Sequence, residues 1–170
     1  MIQRNLQGQG FDMSPNAMQV LVDDKTGNGI PDQASIINGL KWLTQGAKAG
    51  DTLFLHYSGH GTQCKNSQRK TYEAIIPIDY QDKGVIPDYQ MFQLIVATLP
   101  PDVYMFVIMD CCHSGTVLDL PFCFAGTSEG IQQLQSGQIQ TTGQNPLFNT
   151  EMALQLVSLA AQGILQRFFK

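Results

Sequence analysis

The sequence predicts an α/β fold with a mostly parallel central sheet. Two apolar runs, at 52–57 and 103–109, have the length and the β-branched and aromatic content of buried strands. A weaker strand pattern at 18–22 is followed by helical spacing of apolar residues at 33–46. A strand, helix, strand order favours a right-handed crossover, and therefore a parallel pair of strands.

The N-terminal elements follow in order. Residues 1–16 are polar and show no strand pattern, so the strand at 18–22 is the first that we predict. The helix at 33–46 buries one face, formed by Ile36, Ile37, Leu40 and Leu43. A turn then leads into the strand at 52–57.

The turn-rich loop before this helix carries oxygen side chains at Asp24, Thr26 and Asn28. Their spacing resembles a calcium loop, but Ser35 stands where such a loop has a bidentate glutamate. We therefore favour an ordinary loop that ends at Asp32, which caps the helix.

The middle of the chain alternates short elements. A polar loop at 62–70 is followed by a strand at 73–79, which contains Pro77 and is expected near a sheet edge. A second short strand is predicted at 85–86, and a helix from Asp88 to about residue 98.

The C-terminal part has a different composition. Residues 125–145 are rich in Gly, Gln, Ser and Thr, which predicts a flexible loop or linker. Residues 150–169 have the pattern of an amphipathic helix. The chain length and its 43% hydrophobic content predict one domain over residues 1–170.

Composition excludes several classes of function. The net charge of −4 gives no support for nucleic-acid binding. We expect no signal peptide, because no N-terminal segment has a basic start followed by an apolar core. We expect no membrane segment, because no apolar run approaches about 20 residues. The four cysteines, Cys64, Cys111, Cys112 and Cys123, have neither metal-ligand spacing nor a disulfide pattern, which favours a reducing cytoplasmic location.

Both main strands end in a polar motif. The strand at 103–109 runs into Asp-Cys-Cys-His-Ser-Gly at 110–115, and the strand at 52–57 runs into Ser-Gly-His-Gly at 58–61. Parallel strands present functional groups at their carboxyl ends, so a Cys and a His are expected at one edge. In such a pair the imidazole accepts the thiol proton and the thiolate is the nucleophile.

These motifs, with Leu-Asp-Leu-Pro-Phe at 118–122, resemble metacaspases of the caspase-like cysteine protease clan. The similarity runs from about Val20 to about Phe124, the large-subunit-like part of the family domain. The two motifs lie about fifty residues apart, as in the caspase-type signature. The resemblance implies a caspase-like three-layer sandwich, with helices on both faces of a mostly parallel sheet.

The resemblance also implies residue roles. Cys112 matches the family nucleophile and His60 the general base, and the backbone N–H groups of Gly61 and Cys112 match the oxyanion hole. Asp110 matches the acidic specificity residue, with Ser58 in the same pocket. The implied function is a cysteine endopeptidase that cleaves polypeptides after Arg or Lys through an acyl-enzyme thioester.

Each role has a structural alternative. Cys112 could be a small core residue, and Asp110 a turn residue. His113 could act as the base, but adjacent residues on a strand end face apart, so His60 is preferred. His56, within the strand, is expected to serve packing. For the whole chain, the alternatives are a non-catalytic metacaspase-like regulatory or binding protein and a related Cys–His hydrolase.

The chain departs from the family at its calcium site. Many metacaspases are activated by calcium held by clustered aspartates, and Asp88 and Asp119 match two of those positions. Tyr72 and Tyr89 stand at the others. Because calcium takes six to eight oxygen ligands, with carboxylates prominent, we expect weak or absent calcium binding. The chemistry itself requires no cofactor.

The chain also departs from the family at its N-terminus. The family domain opens with an apolar strand that lies between the strand ending at Val22 and the one ending at Tyr57. Nothing before Ala17 resembles that strand. Without it two strand edges would face a gap. Three alternatives follow: the chain is a fragment, a complementing N-terminal segment or chain fills the gap, or the chain folds differently from its relatives.

Overall fold

A computed structural model describes residues 2–24, 26–112, 118, 120, 122–123, 132, 136 and 140–141. The chain divides into two compact units, 1–118 and 119–170, each described here by itself. The single domain predicted over 1–170 stays a prediction. The helix predicted at 150–169 lies outside the described residues.

The first unit contains helices and strands in alternation. Its helices are α1 (Ile2–Gly8), α2 (Gln33–Thr44), α3 (Tyr80–Lys83), α4 (Asp88–Met91) and a π-helix (Phe92–Val96). Its strands are β1 (Thr52–Ser58), β2 (Gly61–Lys65), β3 (Thr71–Ile75), β4 (Ile86–Pro87) and β5 (Tyr104–Asp110). In the second unit β6 (Phe122–Cys123) pairs antiparallel with β7 (Gln140–Thr141), which lies within the predicted linker 125–145; most of that stretch is outside the described residues.

The two apolar runs lie in one parallel sheet, as predicted. The parallel pair predicted between 18–22 and 52–57 is wrong, because residues 18–22 form no strand. β1 and β5 run parallel in register, from Thr52 opposite Tyr104 to Ser58 opposite Asp110. Because both strands end at the same level, the polar motifs that follow them begin at one edge of the sheet. The α/β class predicted from the two apolar runs is therefore correct.

One face of this strand pair packs on the core of the unit. The buried core consists of Ile36, Leu40, Ile75, Ile86, Met91, Ile95 and Leu118. The residues of β1 and β5 and the adjoining Cys111 that contact it share one face of the pair, because alternate residues of a strand point the same way: they are Leu55, Tyr57, Met105, Val107, Met109 and Cys111.

Helix α2 begins as the sequence predicts. The Asp32 carboxylate accepts a hydrogen bond from the Ser35 N–H at 2.7 Å, which satisfies one free donor of the first turn. The helix ends at Thr44, two residues earlier than predicted, and Gly46 follows in a left-handed conformation with φ +75°. The helix predicted from Asp88 continues from α4 into the π-helix.

The loop predicted at 62–70 is wrong for its first half. β2 pairs antiparallel with β3, from Gly61 opposite Ile75 to Lys65 opposite Thr71. The β2 sequence, Gly-Thr-Gln-Cys-Lys, has no apolar alternation, so only its pairing with β3 makes it a strand. The strand predicted at 73–79 begins earlier and ends before Pro77, which has no N–H to donate.

The strand predicted at 18–22 is also wrong. Only an isolated bridge joins Leu21 to Gly29. The backbone here bonds to the loop that follows it: the Asn28 N–H donates to the Val20 carbonyl at 2.7 Å, and the Val22 N–H to the Gly29 carbonyl at 3.0 Å. An apolar run becomes an extended strand only where another strand lies beside it. The helix α1 was not predicted either.

The calcium-loop alternative finds no support in this loop. The Asp24 carboxylate accepts hydrogen bonds from the Thr26 N–H and hydroxyl, at 2.9 and 2.7 Å. The Asn28 side-chain oxygen accepts from the Val20 N–H at 2.9 Å. These oxygens hold the loop together. Separately, among the described residues, no helix is both long and apolar enough to cross a membrane.

Candidate active site

The turn after β1 is held by hydrogen bonds from three directions. The Gly59 N–H donates to the Asp110 carbonyl of β5 at 3.4 Å. The His60 carbonyl accepts from the Ile76 N–H at 3.0 Å and from the Tyr57 hydroxyl at 2.8 Å. The backbone of His60 is therefore fixed relative to both neighbouring strands, while its side chain is exposed.

The two cysteines after β5 differ in their surroundings. Cys111 is half-buried against the core, whereas Cys112 is exposed, and both are free thiols. Burial raises the pKa of the Cys111 thiol, and the nearby Cys112, Glu73 and Asp110 raise it further. Cys112 is therefore the more accessible of the two thiols.

The two motifs meet at Gly61. A β-carbon placed on Gly61 would overlap the Cys112 carbonyl oxygen, and it would lie 3.2 Å from the Cys112 carbonyl carbon and 3.3 Å from the Cys111 Sγ. The backbone that follows His60 thus passes directly against the backbone of Cys112, and only a residue without a side chain fits there.

The predicted specificity residues also lie together. Ser58 and Asp110 form the last residue pair between β1 and β5, and both are exposed. Paired residues of adjacent strands point to the same face, so a hydroxyl and a carboxylate share one side of this edge. His56 lies further back in β1, opposite Ile108. His113 is outside the described residues.

Three of the four predicted calcium positions lie within the described residues. Asp88 is only 7% exposed, and its two carboxylate oxygens accept hydrogen bonds from the Glu73 N–H at 2.8 Å and the Tyr89 N–H at 2.6 Å. The rings of Tyr72 and Tyr89 pack edge to face, with their centroids 5.9 Å apart. Asp119 lies outside the described residues.

Comparison with known proteins gives the family. The family model described as metacaspase, peptidase C14 domain, matches residues 2–121. The chain belongs to the metacaspase family. Its relatives include metacaspase-3 of Trypanosoma cruzi (strain CL Brener), 39% identical over 129 residues, which are 72% of this chain and 36% of that protein.

Other metacaspases match over a similar region. Metacaspase-2 of Trypanosoma brucei brucei is 43% identical over 115 residues, covering 64% of this chain and 33% of its own length. Metacaspase-1 of Mycosarcoma maydis is 39% identical over 137 residues, which are 78% of this chain and 33% of that protein. The chain therefore spans about a third of the length of these curated metacaspases.

The metacaspase resemblance implies calcium at these positions, one of which, Asp119, lies outside the described residues. Within the described ranges, no three His, Cys, Asp or Glu side chains are grouped so that they could hold a metal ion. Both oxygens of Asp88 already bind backbone N–H groups. Tyr72 and Tyr89 contribute packed rings where carboxylates were expected, and a neutral phenol is a poor calcium ligand.

The sequence reasoning missed Tyr57. Its role depends on a contact with His60 that no spacing rule encodes. The available signal was positional: Tyr57 lies on the core-facing side of β1, directly before a turn that contains Gly59.

Proposed function

We propose that this chain carries the reactive site of a cysteine endopeptidase that cleaves polypeptides after Arg or Lys. The contact of Gly61 with the Cys112 backbone is the observation that carries the proposal, because it brings the His60 and Cys112 motifs together. The assignment of the nucleophile is supported by the exposure of Cys112, whereas Cys111 is half-buried.

The chemistry follows from the two side chains. His60 takes the thiol proton of Cys112, and the thiolate attacks the carbonyl carbon of the scissile peptide bond. His60 then gives the proton to the departing amine, which leaves an acyl thioester on Cys112. A water molecule, deprotonated by His60, attacks this thioester and releases the acid product and the free thiol.

The antiparallel ladder supports Gly61 as an oxyanion donor. Residues opposite each other alternate between hydrogen-bonded and non-hydrogen-bonded pairs. Because the Ile76 N–H donates to the His60 carbonyl, the next pair, Gly61 and Ile75, is of the non-hydrogen-bonded kind. The Gly61 N–H is therefore directed away from β3, and with the Cys112 N–H it can donate to the oxyanion of the tetrahedral intermediate.

The proposed specificity rests on Asp110 with Ser58. A carboxylate at the edge of the site pairs with a guanidinium or ammonium group of the substrate, and the neighbouring hydroxyl adds a further hydrogen-bonding group. A guanidinium can bind both carboxylate oxygens, so Arg should be preferred to Lys.

Hydrolysis of fluorogenic peptides tests this function. We expect turnover of a peptide with Arg at the cleavage position, none with Ala there, and none in a folded Cys112→Ala variant. Asp110→Asn should raise KM for the Arg peptide more than it lowers kcat. Absence of turnover by the folded wild-type chain would refute the proposal and favour a regulatory or binding protein.

We also propose that calcium is not required. The contact between the two tyrosine rings and the hydrogen bond from the Glu73 N–H to Asp88 join β3 to the start of α4, which supports this proposal. Calcium added to chelator-treated protein should leave its melting temperature unchanged. Replacing Tyr72 and Tyr89 together by Asp should create a calcium-dependent rise in the melting temperature, whereas Tyr80→Asp, at an exposed tyrosine elsewhere, should not. A calcium-dependent rise in the wild-type chain would contradict this.

A complementing strand is proposed at the outer edge of β1. Within the described residues β1 pairs only with β5. The Gly59 N–H donates to Asp110, so the ladder to β5 uses odd-numbered amides of β1 and leaves those of Phe54 and His56 facing the other edge. An added N-terminal segment or chain that pairs with this edge of β1 should protect the amides of Phe54 and His56 from hydrogen exchange. Unchanged exchange of these two amides would contradict strand pairing at this edge.

We propose a cytoplasmic location as well. Cys64, Cys111 and Cys112 are free thiols, as is usual in a reducing compartment. Imaging of the tagged protein in cells tests this, and a secreted, disulfide-linked form would contradict it.

A further inference from the structure

Tyr57 is the residue that joins the core to the turn carrying His60. It lies near the end of β1, opposite Met109, and both residues are on the face that packs against the core. Its ring extends from that face beneath the turn. The Tyr57 hydroxyl lies 2.8 Å from the His60 carbonyl oxygen and 3.4 Å from the Ile76 carbonyl oxygen.

The turn is shaped to the Tyr57 side chain. A β-carbon on Gly59 would lie 2.6 Å from the Tyr57 hydroxyl oxygen and 2.8 Å from the ring carbon that bears it. These distances are shorter than real carbon contacts, so the chain can cross the ring only at a glycine. The Tyr57 ring therefore limits how closely the backbone between β1 and His60 can approach it.

The hydrogen bond from the Tyr57 hydroxyl to the His60 carbonyl persists over the neutral pH range. A phenol hydroxyl can donate, and a backbone carbonyl can only accept. Burial raises the pKa of Tyr57, although its backbone hydrogen bonds act in the opposite direction, so the hydroxyl keeps its proton throughout the neutral pH range. The second donor to the His60 carbonyl, the Ile76 N–H, belongs to the neighbouring hairpin.

We propose that Tyr57 is a positioning residue for His60. By holding the His60 carbonyl from below, its hydroxyl fixes the backbone that carries the imidazole relative to Cys112. The inference rests on the proposed His60–Cys112 pair, but its test does not require peptide turnover.

The test compares Tyr57→Phe with wild type, because phenylalanine keeps the ring and its core packing and removes only the hydroxyl. The measurement is the alkylation rate of Cys112 by iodoacetamide as a function of pH, with mass mapping of the labelled peptide. We expect the alkylation rate of Cys112 near neutral pH to fall towards that of His60→Ala. Where turnover is measurable, kcat should fall about 2- to 12-fold, the worth of one neutral hydrogen bond, with little change in KM.

Tyr104→Phe is the matched control. Tyr104 is a half-buried tyrosine on the adjacent strand β5, and its hydroxyl has no hydrogen-bond partner in the described part of the chain. The Tyr104→Phe variant reports the general cost of removing such a hydroxyl. Its alkylation rate of Cys112 as a function of pH should equal that of wild type.

The outcomes are distinguishable. If His60→Ala shifts the Cys112 profile and Tyr57→Phe does not, the positioning role is refuted and the proposed function stands. If His60→Ala itself has no effect, the His60–Cys112 pair is refuted, and the role of Tyr57 falls with it. Equal shifts in Tyr57→Phe and Tyr104→Phe would show a general loss of rigidity and would also overturn the positioning role.

Discussion

Substitution of Gly61 by Ala tests the junction of the two motifs. The new β-carbon would overlap the Cys112 carbonyl oxygen and would contact the Cys111 Sγ at 3.3 Å. The first of these neighbours is backbone and cannot rotate away, so the two segments must separate by on the order of 1 Å. A misplacement of about 1 Å between reacting groups costs about 100-fold in rate, which corresponds to about 2.7 kcal/mol in activation free energy.

The expected result for Gly61→Ala is a fall of about 100-fold in kcat/KM for an Arg peptide. Overpacking should also lower the free energy of unfolding by about 1–3 kcal/mol, measured by urea denaturation. Gly8→Ala is the control, because a β-carbon on Gly8 meets nothing within 4 Å. A folded Gly61→Ala protein with wild-type kcat/KM would refute the view that this contact belongs to the active site.

Three further predictions concern the thiols, the core and acid stability. In Cys112→Ala, burial keeps the pKa of Cys111 raised, so its alkylation should be slow near neutral pH and should accelerate only in alkaline solution; fast neutral labelling would contradict this. Ile95 is fully buried, so Ile95→Ala should lower the free energy of unfolding, measured in urea, by about 2–5 kcal/mol. Ile78 is 50% exposed, and Ile78→Ala should change that free energy by less than about 0.5 kcal/mol. Equal effects would contradict the core assignment. The helix-cap hydrogen bond lowers the pKa of Asp32. The stability that this bond gives is therefore present above the ordinary carboxyl pKa and is lost as the pH falls through the lowered value. Asp32→Asn should remove this part of the acid dependence of the melting temperature, and an unchanged dependence would contradict the prediction.

The parts of the fold that the sequence predicted are those specified by local pattern. The apolar runs that became β1 and β5 are long and continuous, and Asp32 precedes a clear helical repeat. Their polar ends could therefore be placed at one edge of the sheet.

The parts that were not predicted depend on contacts between distant residues. β2 has a polar sequence and exists because β3 lies beside it, whereas residues 18–22 have an apolar sequence and bond to their own loop. The contacts of Tyr57 with His60 and of Gly61 with Cys112 arise from the packing of three strands. No spacing rule for a single segment contains that information.

The most direct test of the His60–Cys112 pair is the alkylation rate of Cys112 near neutral pH in wild type, His60→Ala and His56→Ala. A base beside the thiol increases the thiolate fraction. The rate should therefore fall by at least about tenfold in His60→Ala. It should be unchanged in His56→Ala, since His56 lies back in β1 opposite Ile108. Equal rates in all three proteins would contradict the pairing of His60 with Cys112.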